Sequence, residues 1–235
     1  MQHDTFTRKW YSTFLDSILP ETTSSEVAFV EHYLPLDAFP NLIDIACGPG
    51  RHTELLAAKG YHVLGIDKDR PSIRQAQENA QPNASYRVLD MRDLATLPTK
   101  FDGAINLWHS FGFYDDATNG RILKAISQRL RRGGRAIFAI YNRNHMQTLP
   151  EEVESFQEDE LLRTRRRWKG NRLTCEIRYR SGLSDTLNWQ IYTPDEFADL
   201  ADQNGLTELT RCAWFNADLS PSKEHARMQF VFERR

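Results

Sequence analysis

The sequence predicts a doubly wound α/β fold, a mostly parallel seven-stranded sheet covered by helices, with a small antiparallel β-meander inserted late in the chain. Two observations carry this. Between residues 42 and 141, five short strand-like runs alternate with stretches of helical periodicity, the pattern of linked β-α-β units. From about residue 142 to 192 that rhythm gives way to runs of alternating residues separated by turn residues, the pattern of hairpins.

The elements follow in order. Phe6, Trp10, Phe14, Leu15 and Ile18 recur at roughly helical spacing, and Pro20 is expected to end that helix. A second short helix is expected from Ser24 or Ser25, burying Val27, Val30 and Tyr33–Leu34. Leu42 to Cys47 is a buried strand, broken by Gly48-Pro49-Gly50. His52 to Lys59 reads as a helix stopped by Gly60. Tyr61 to Asp67 is the second strand, Pro71 to Ala80 a helix with proline in its first turn, Ser85 to Asp90 the third strand and Phe101 to Trp108 the fourth. Asp115 to Leu130 is a long amphipathic helix, Gly133-Gly134 a loop, and Arg135 to Tyr141 the fifth strand. After an acidic stretch, Leu161 to Trp168, Leu173 to Arg180 and Thr186 to Tyr192 form a three-stranded meander with turns at Lys169-Gly170-Asn171 and Ser181-Gly182. Thr193-Pro194-Asp195-Glu196 starts a helix, and Leu206 to Phe215 with Met228 to Phe232 close the sheet as an edge hairpin.

Composition sets the bounds. The chain has 235 residues, enough for one large α/β domain with a modest insertion. It is 40% hydrophobic, which excludes wholesale disorder. Lys and Arg number 30 against 32 Asp and Glu, a net charge of -2 that argues against a dedicated nucleic-acid binder. No apolar run reaches the roughly 20 residues of a membrane span. The start has no basic-then-apolar signal. The 3 cysteines are scattered, with neither a disulfide framework nor a Cys-x-x-Cys metal spacing. The expectation is a soluble cytoplasmic protein with reduced thiols, no metal, and no membrane or nucleic-acid partner.

The strongest chemical signal is Asp44-Ile45-Ala46-Cys47-Gly48-Pro49-Gly50, which joins a strand to a helix. Glycines there let the backbone approach a ligand, and the helix start offers unpaired N–H groups. A dinucleotide phosphate loop would place a third glycine near position 53, where this chain has Thr53. Asp67 ends the second strand 19 residues after Gly48, where a carboxylate can accept both hydroxyls of a ribose. Asp90 ends the third, where a carboxylate can accept an adenine amino group while Met91 packs on the ring. A solvent-facing strand-end carboxylate is the competing reading of either Asp. All three features fall on successive strand ends.

With these residues the chain resembles the class I S-adenosylmethionine-dependent methyltransferases, which have a Rossmann-like fold. The resemblance spans roughly Leu42 to Tyr141, with weaker support to the C-terminus. Asp44 to Gly50 is similar to that family's glycine-rich first motif, with Ala46 where many members have a glycine. Asp67 corresponds to the ribose acid, Asp90-Met91 to the adenine position, and Asn106-Leu107-Trp108-His109 to the segment lining the methyl-donor pocket, which brings in Leu107. Leu130 to Gly134 matches the loop before strand five. Trp108 to Phe113, the β insertion and the late strand Arg227-Met228-Gln229-Phe230 resemble the small-molecule subgroup.

The resemblance implies one methyltransferase domain over residues 1–235, with 1–40 a helical cap and 143–192 the antiparallel insertion. It implies S-adenosyl-L-methionine as donor, and as acceptor a nitrogen or oxygen of a small-molecule metabolite. Tyr11 is expected to close over the donor's methionine carboxylate. Arg51 meets that carboxylate or, in the competing reading, is a solvent-exposed helix start. Lys68 reaches the adenosine edge through its backbone. Trp10, Tyr11, Trp108, Phe111 and Phe113 are candidate walls or ordinary core. His109, past strand four, is the candidate general base, or else a plain hydrogen-bonding group. Cys47 is read as packing. Arg163, Arg165, Arg166, Arg167 and Lys169, on a strand, alternate faces and cannot form one positive stripe. They suit a solvated sheet or a subunit contact, and a homodimer through the insertion is conceivable. Rival functions are a nucleic-acid methyltransferase, disfavoured because the fourth-strand segment lacks a Pro-Pro-aromatic run, a non-catalytic donor-binding regulatory protein, and a nicotinamide-dependent oxidoreductase, disfavoured by Thr53.

Overall fold

The computed structural model describes residues 8–15, 17–78, 80–108, 110–157 and 160–235. Its main sheet has seven strands: β1 (Asn41–Ile45), β2 (His62–Asp67), β3 (Ala84–Val88), β4 (Phe101–Asn106), β5 (Leu130–Tyr141), β10 (Leu206–Ala213) and β11 (Arg227–Arg234). They lie in the order β10-β11-β5-β4-β1-β2-β3. β1 pairs in parallel with β2 and β4, β2 with β3, and β4 with β5. β11 runs antiparallel between β5 and β10, so the expected closing hairpin forms the sheet edge. Strand order reverses about β1, which puts the crevice outside the carboxyl ends of β1 and β4.

The parallel strands bury both faces, as their continuous apolar runs require. Along β5, Ala136, Phe138 and Ile140 join one core with Ile43, Ile45, Phe197, Phe230 and Phe232. Ile137 and Ala139 point the other way, into a second core with Leu42, Val63 and the helices α2 (Pro20–Tyr33) and α3 (Arg51–Ala58). Helices α4 (Arg70–Glu78), α5 (Asp116–Arg129) and α7 (Pro194–Gln203) complete the layers. The start expected for α7 is present as a full capping box between Thr193 and Glu196.

Several boundaries differ from expectation. Helix α1 spans Arg8–Phe14, and Pro20 does not end a helix but begins α2. A proline at the first helical position loses no hydrogen bond and has the right φ. Ser24 and Ser25 lie inside α2, their hydroxyls donating to the carbonyls of Pro20 and Glu21 at 3.0 Å. The third strand stops at Val88, and Asp90 instead caps a 3-10 helix at Met91–Thr96, accepting the Arg92 N–H. β5 begins at Leu130 rather than Arg135, because Gly133-Gly134 is absorbed as an irregularity in the ladder. Gly133 has φ 70°, and a Cβ on Gly134 would lie 2.8 Å from the Asp102 and Arg131 carbonyl oxygens.

The insertion is a separate antiparallel sheet of four strands, not three: β6 (Glu152–Gln157), β7 (Glu160–Lys169), β8 (Arg172–Tyr179) and β9 (Ser184–Gln190). The short helix α6 (Arg143–Met146) precedes it. The unforeseen strand β6 is made of the acidic stretch. Glu152 lies opposite Arg165 and Glu154 opposite Arg163. Both are ion-paired across the strands, at 3.1 and 2.7 Å. Cross-strand charge pairing holds in place a segment with little apolar content. Among the described residues no helix is long and apolar enough to cross a membrane.

Candidate active site

The turn from β1 into α3 uses three left-handed residues: Ala46 (φ 60°), Gly48 (φ 56°) and Gly50 (φ 91°). Ala46 stands where many members of the family it resembles have glycine, and alanine is expected there at an ordinary φ. The structure corrects this, and the methyl group sits in a conformation costing about 1–2 kcal/mol. Asp44, on β1, is only 2% exposed and accepts the Thr53 hydroxyl at 2.7 Å. Burial pushes its carboxyl up, against the opposing pull of His52, Thr53 and Arg51. Thr53 therefore has a definite task at the position where a dinucleotide loop wants glycine: it satisfies the buried Asp44.

Asp67, at the end of β2, accepts the backbone N–H of Gly48 on Oδ2 at 2.9 Å and that of Asp69 on Oδ1 at 2.8 Å. Burial raises its pKa, and these two bonds oppose the rise. Each oxygen retains a lone pair, so the carboxylate can accept one hydroxyl on each side, as a vicinal diol presents them. Lys68 follows on the cavity wall. Asp90 is neither at a strand end nor free in solvent. Arg92 bonds it through Nε at 3.0 Å and Nη2 at 2.7 Å, and Tyr114 through its hydroxyl at 3.2 Å. Burial would raise its pKa, but Arg92 and Tyr114 outweigh that and hold it low. Met91, half-buried, packs on the core beside it, and Leu89 and Leu107 line the same cavity.

Arg51 is no solvent-exposed helix start. Its Nη1 bonds Glu26 at 2.7 Å and Thr23 at 2.6 Å, and its guanidinium lies 5.0 Å from the Trp108 ring centroid. Its Nη2 is buried with no hydrogen-bond partner among the described residues. Glu26, on α2 and 3% exposed, also bonds His52 Nε2 at 2.7 Å and accepts the Trp108 indole N–H at 2.9 Å. Trp108 itself is held at φ 64°. Sequence reasoning missed this Glu26-centred cluster, because nothing in a helical stretch marks one glutamate as buried. Tyr11 lines the cavity beside Ser72, Asp69 and Asp67, at the β2 end. Burial and the two carboxylates push its hydroxyl up to about 12.

Of these residues, Tyr11, Asp44, Ala46, Gly48, Arg51, Asp67, Lys68, Asp90, Met91, Leu107 and Trp108 line one cavity of about 850 Å³ that continues from the tips of β1–β3 to the inner face of the four-stranded sheet. Trp10, Tyr11, Trp108 and Phe113 are on its wall. Phe111 is core instead, packed 5.3 Å from the Phe197 ring and 5.5 Å from Phe138. Cys47 is also on the wall, but buried, and that burial pushes its thiol pKa up. His109 lies outside the described residues. Among the cavity residues not foreseen as site residues are Arg166 from β7 and Arg227 from β11.

Comparisons with known proteins agree with this geometry. Residues 42–134 match the family model of a methyltransferase domain. A ubiquinone biosynthesis O-methyltransferase of Chromobacterium violaceum is 28% identical over 130 residues, 54% of each chain. A trans-aconitate 2-methyltransferase of Paracidovorax citrulli is 37% identical over 67 residues, 28% of this chain and 25% of its own. The chain spans about half the length of the first of these and about a quarter of the second. Among solved structures, an S-adenosylmethionine-dependent methyltransferase from Clostridium acetobutylicum superposes with TM-score 0.78 at 17% identity, covering 95% of this chain and 96% of its own. An amino pentose methyltransferase from Micromonospora echinaspora, solved with S-adenosylmethionine bound, gives 0.73 at 17% identity over 100% of both. Strand order, site placement and the matched segment agree: the chain has the fold of the class I S-adenosylmethionine-dependent methyltransferases, and residues 42–134 match the model of a methyltransferase domain.

Proposed function

We propose that the chain transfers a methyl group from S-adenosylmethionine to a nitrogen or oxygen of a small-molecule metabolite. The observation that carries this is the continuity of the cavity. One end is built from the tips of β1–β3 and the other is an apolar chamber roofed by the four-stranded sheet.

The donor end fits the nucleoside. Asp67 keeps a lone pair on each oxygen for the ribose hydroxyls. A Cβ on Gly48 would stand in open space, so the turn leaves room at its crest. The orphan Nη2 of Arg51 suits a carboxylate. Met91 and Leu89 supply the apolar surface an adenine ring needs, with Asp90 beside them. Tyr11, expected over the methionine carboxylate, stands beside Asp67 and Asp69 and is read instead as covering the ribose side, and Lys68 as meeting the adenosine edge.

The donor supplies a methyl group on a positively charged sulfur, an electrophile that needs no further activation. The work left to this chain is positioning and the exclusion of water. Leu107 and Trp108, just after β4, line the cavity, and Trp108 is held by its bond to Glu26. The chamber walls, including Phe14, Ile177, Leu187 and Trp189, keep the acceptor dry. His109 is proposed as the group that takes the acceptor's proton where the acceptor has one to lose. Nucleic acid is a poor fit as acceptor. Arg163, Arg165 and Arg167 on the outer face of β7 are ion-paired with Glu154, Glu152 and Glu176. A dimer through this sheet belongs to the same reading: β6 is its edge strand and leaves Phe156 73% exposed.

The test is a screen of metabolite fractions with donor carrying a radiolabelled methyl group, followed by mass spectrometry of the labelled product. Calorimetry with S-adenosylhomocysteine and with NAD runs alongside. Labelled small molecules and binding of S-adenosylhomocysteine alone support the reading. Donor binding without labelling of any fraction would instead indicate a non-catalytic binding protein.

A further inference from the structure

Two arginines on the cavity wall have no ion-pair partner among the described residues. Along β7 the arginines separate by face: Arg163, Arg165 and Arg167 point outward, each onto a glutamate. Arg166, between them, faces inward with Leu162 and Thr164 and lines the cavity. It makes no ion pair among the described residues. Its Nη1 donates to the Pro150 carbonyl at 3.1 Å, and its Nε is buried with no hydrogen-bond partner among the described residues. Arg227, at the start of β11, lines the cavity from the neighbouring wall, 4.7 Å from the Trp108 ring centroid and likewise without an ion pair among the described residues. Tyr141 is buried within electrostatic reach of both guanidiniums.

The carboxylates of the cavity sit at the other end. Asp44 and Asp67 are on β1 and β2, Asp69 just past β2 and Asp90 just past β3, and they are engaged by Thr53, by backbone N–H groups, by Ser72 and by Arg92. A donor carboxylate has Arg51 within the Glu26 cluster to meet. Two guanidiniums thus line the cavity with no ion-pair partner among the described residues, an arrangement that an anionic occupant would complete. An inward arginine also breaks the apolar pattern of its strand face, which marks it as a specificity element rather than packing.

We propose that the acceptor is an anion: a small molecule with an apolar body and a carboxylate or phosphate group held by Arg166 and Arg227. The body lies on Ile177, Leu187 and Trp189, and the paired N–H donors of each arginine match the planar oxygens of the acid. This rests on the methyltransferase reading above and narrows its substrate class.

The experiment divides a metabolite extract on an anion exchanger at neutral pH into retained and unretained pools, and supplies each to the full chain with donor carrying a radiolabelled methyl group. The expected result is labelling in the retained pool. Phosphatase treatment of that pool, with loss or survival of the acceptor, separates phosphate esters from carboxylates. Arg166→Gln should lower labelling by about tenfold or more at limiting acceptor, with S-adenosylhomocysteine affinity within about twofold of the parent. Arg166→Lys should fall between, and Arg165→Gln, on the outer face, should match the parent. Labelling confined to the unretained pool overturns the inference and leaves the methyltransferase reading standing, as does parent-like labelling by Arg166→Gln. Equal loss of S-adenosylhomocysteine binding in a folded Arg166→Gln protein assigns the arginine to the donor and also overturns it. Should Arg166→Gln fail to fold, the division between pools decides alone. No label in either pool removes the methyltransferase reading, and this inference with it.

Discussion

The backbone N–H of Gly48 donates to the Asp67 carboxylate across 2.9 Å, so the tip of β2 fastens the turn that follows β1. One side chain thereby shapes the glycine turn and keeps free lone pairs for a ligand.

Replacing Asp67 should therefore act on both tasks. Asp67→Asn keeps the size but leaves one of the two backbone N–H groups facing an amide donor and removes an acceptor for the ribose. S-adenosylhomocysteine affinity is expected to fall by about 10- to 100-fold, measured by calorimetry. Unaltered affinity would detach Asp67 from the donor site.

Ala46 carries strain that glycine would relieve. At φ 60° the Cβ is unfavourable, whereas glycine is at ease there. Ala46→Gly is expected to gain about 1 kcal/mol, net of the entropy lost from the unfolded chain, and to raise Tm by about 2–4 °C. A lower Tm by scanning calorimetry would mean the turn does not hold that conformation.

Gly50 admits no side chain. Its φ is 91°, and a Cβ would press against the Tyr86 phenol, which is itself hydrogen-bonded to Glu54. Gly50→Ala should cost about 2 kcal/mol or more in urea unfolding and weaken S-adenosylhomocysteine binding as the turn shifts. Parent-like values for both would contradict the packing described.

Glu26 predicts a pH dependence. Burial alone would raise its pKa, but the bonds from His52, Arg51 and Trp108 outweigh this and set it below the ordinary 4.5. A carboxylate depressed in the folded state contributes stability above its unfolded pKa and loses it as pH falls through the folded value. Glu26→Gln, which cannot titrate, should be about 3 kcal/mol less stable at pH 7. The gap should narrow steadily below about pH 4.5, near the unfolded glutamate value. Urea denaturation of both proteins from pH 7 to pH 3 reads it, and a constant gap would refute the pairing.

Much of this was legible in the sequence because buried parallel strands are marked by continuous apolar runs and their tips by glycine or aspartate. Asp44, Gly48, Gly50 and Asp67 were found in that way. What escaped depends on contacts between distant segments. Glu26 looks like any helical glutamate until α2 packs on α3. The acidic strand β6 forms because Arg163 and Arg165 face it, although its composition argues against a strand. Pro20 is expected to end a helix and instead begins one, because a proline fits the first turn as well as it stops a preceding helix. Arg166 lies in a basic run where alternation was foreseen, but which arginine turns inward follows from the register with β8, where Arg166 opposes Cys175.

A crystal structure of the chain soaked with S-adenosylhomocysteine tests the central claim most directly. The ribose hydroxyls should rest on Asp67, with the adenine beside Met91 and Asp90 and the sulfur directed toward the chamber under the four-stranded sheet. A nucleoside bound away from the ends of β1–β3, or no nucleoside at all, would contradict the account.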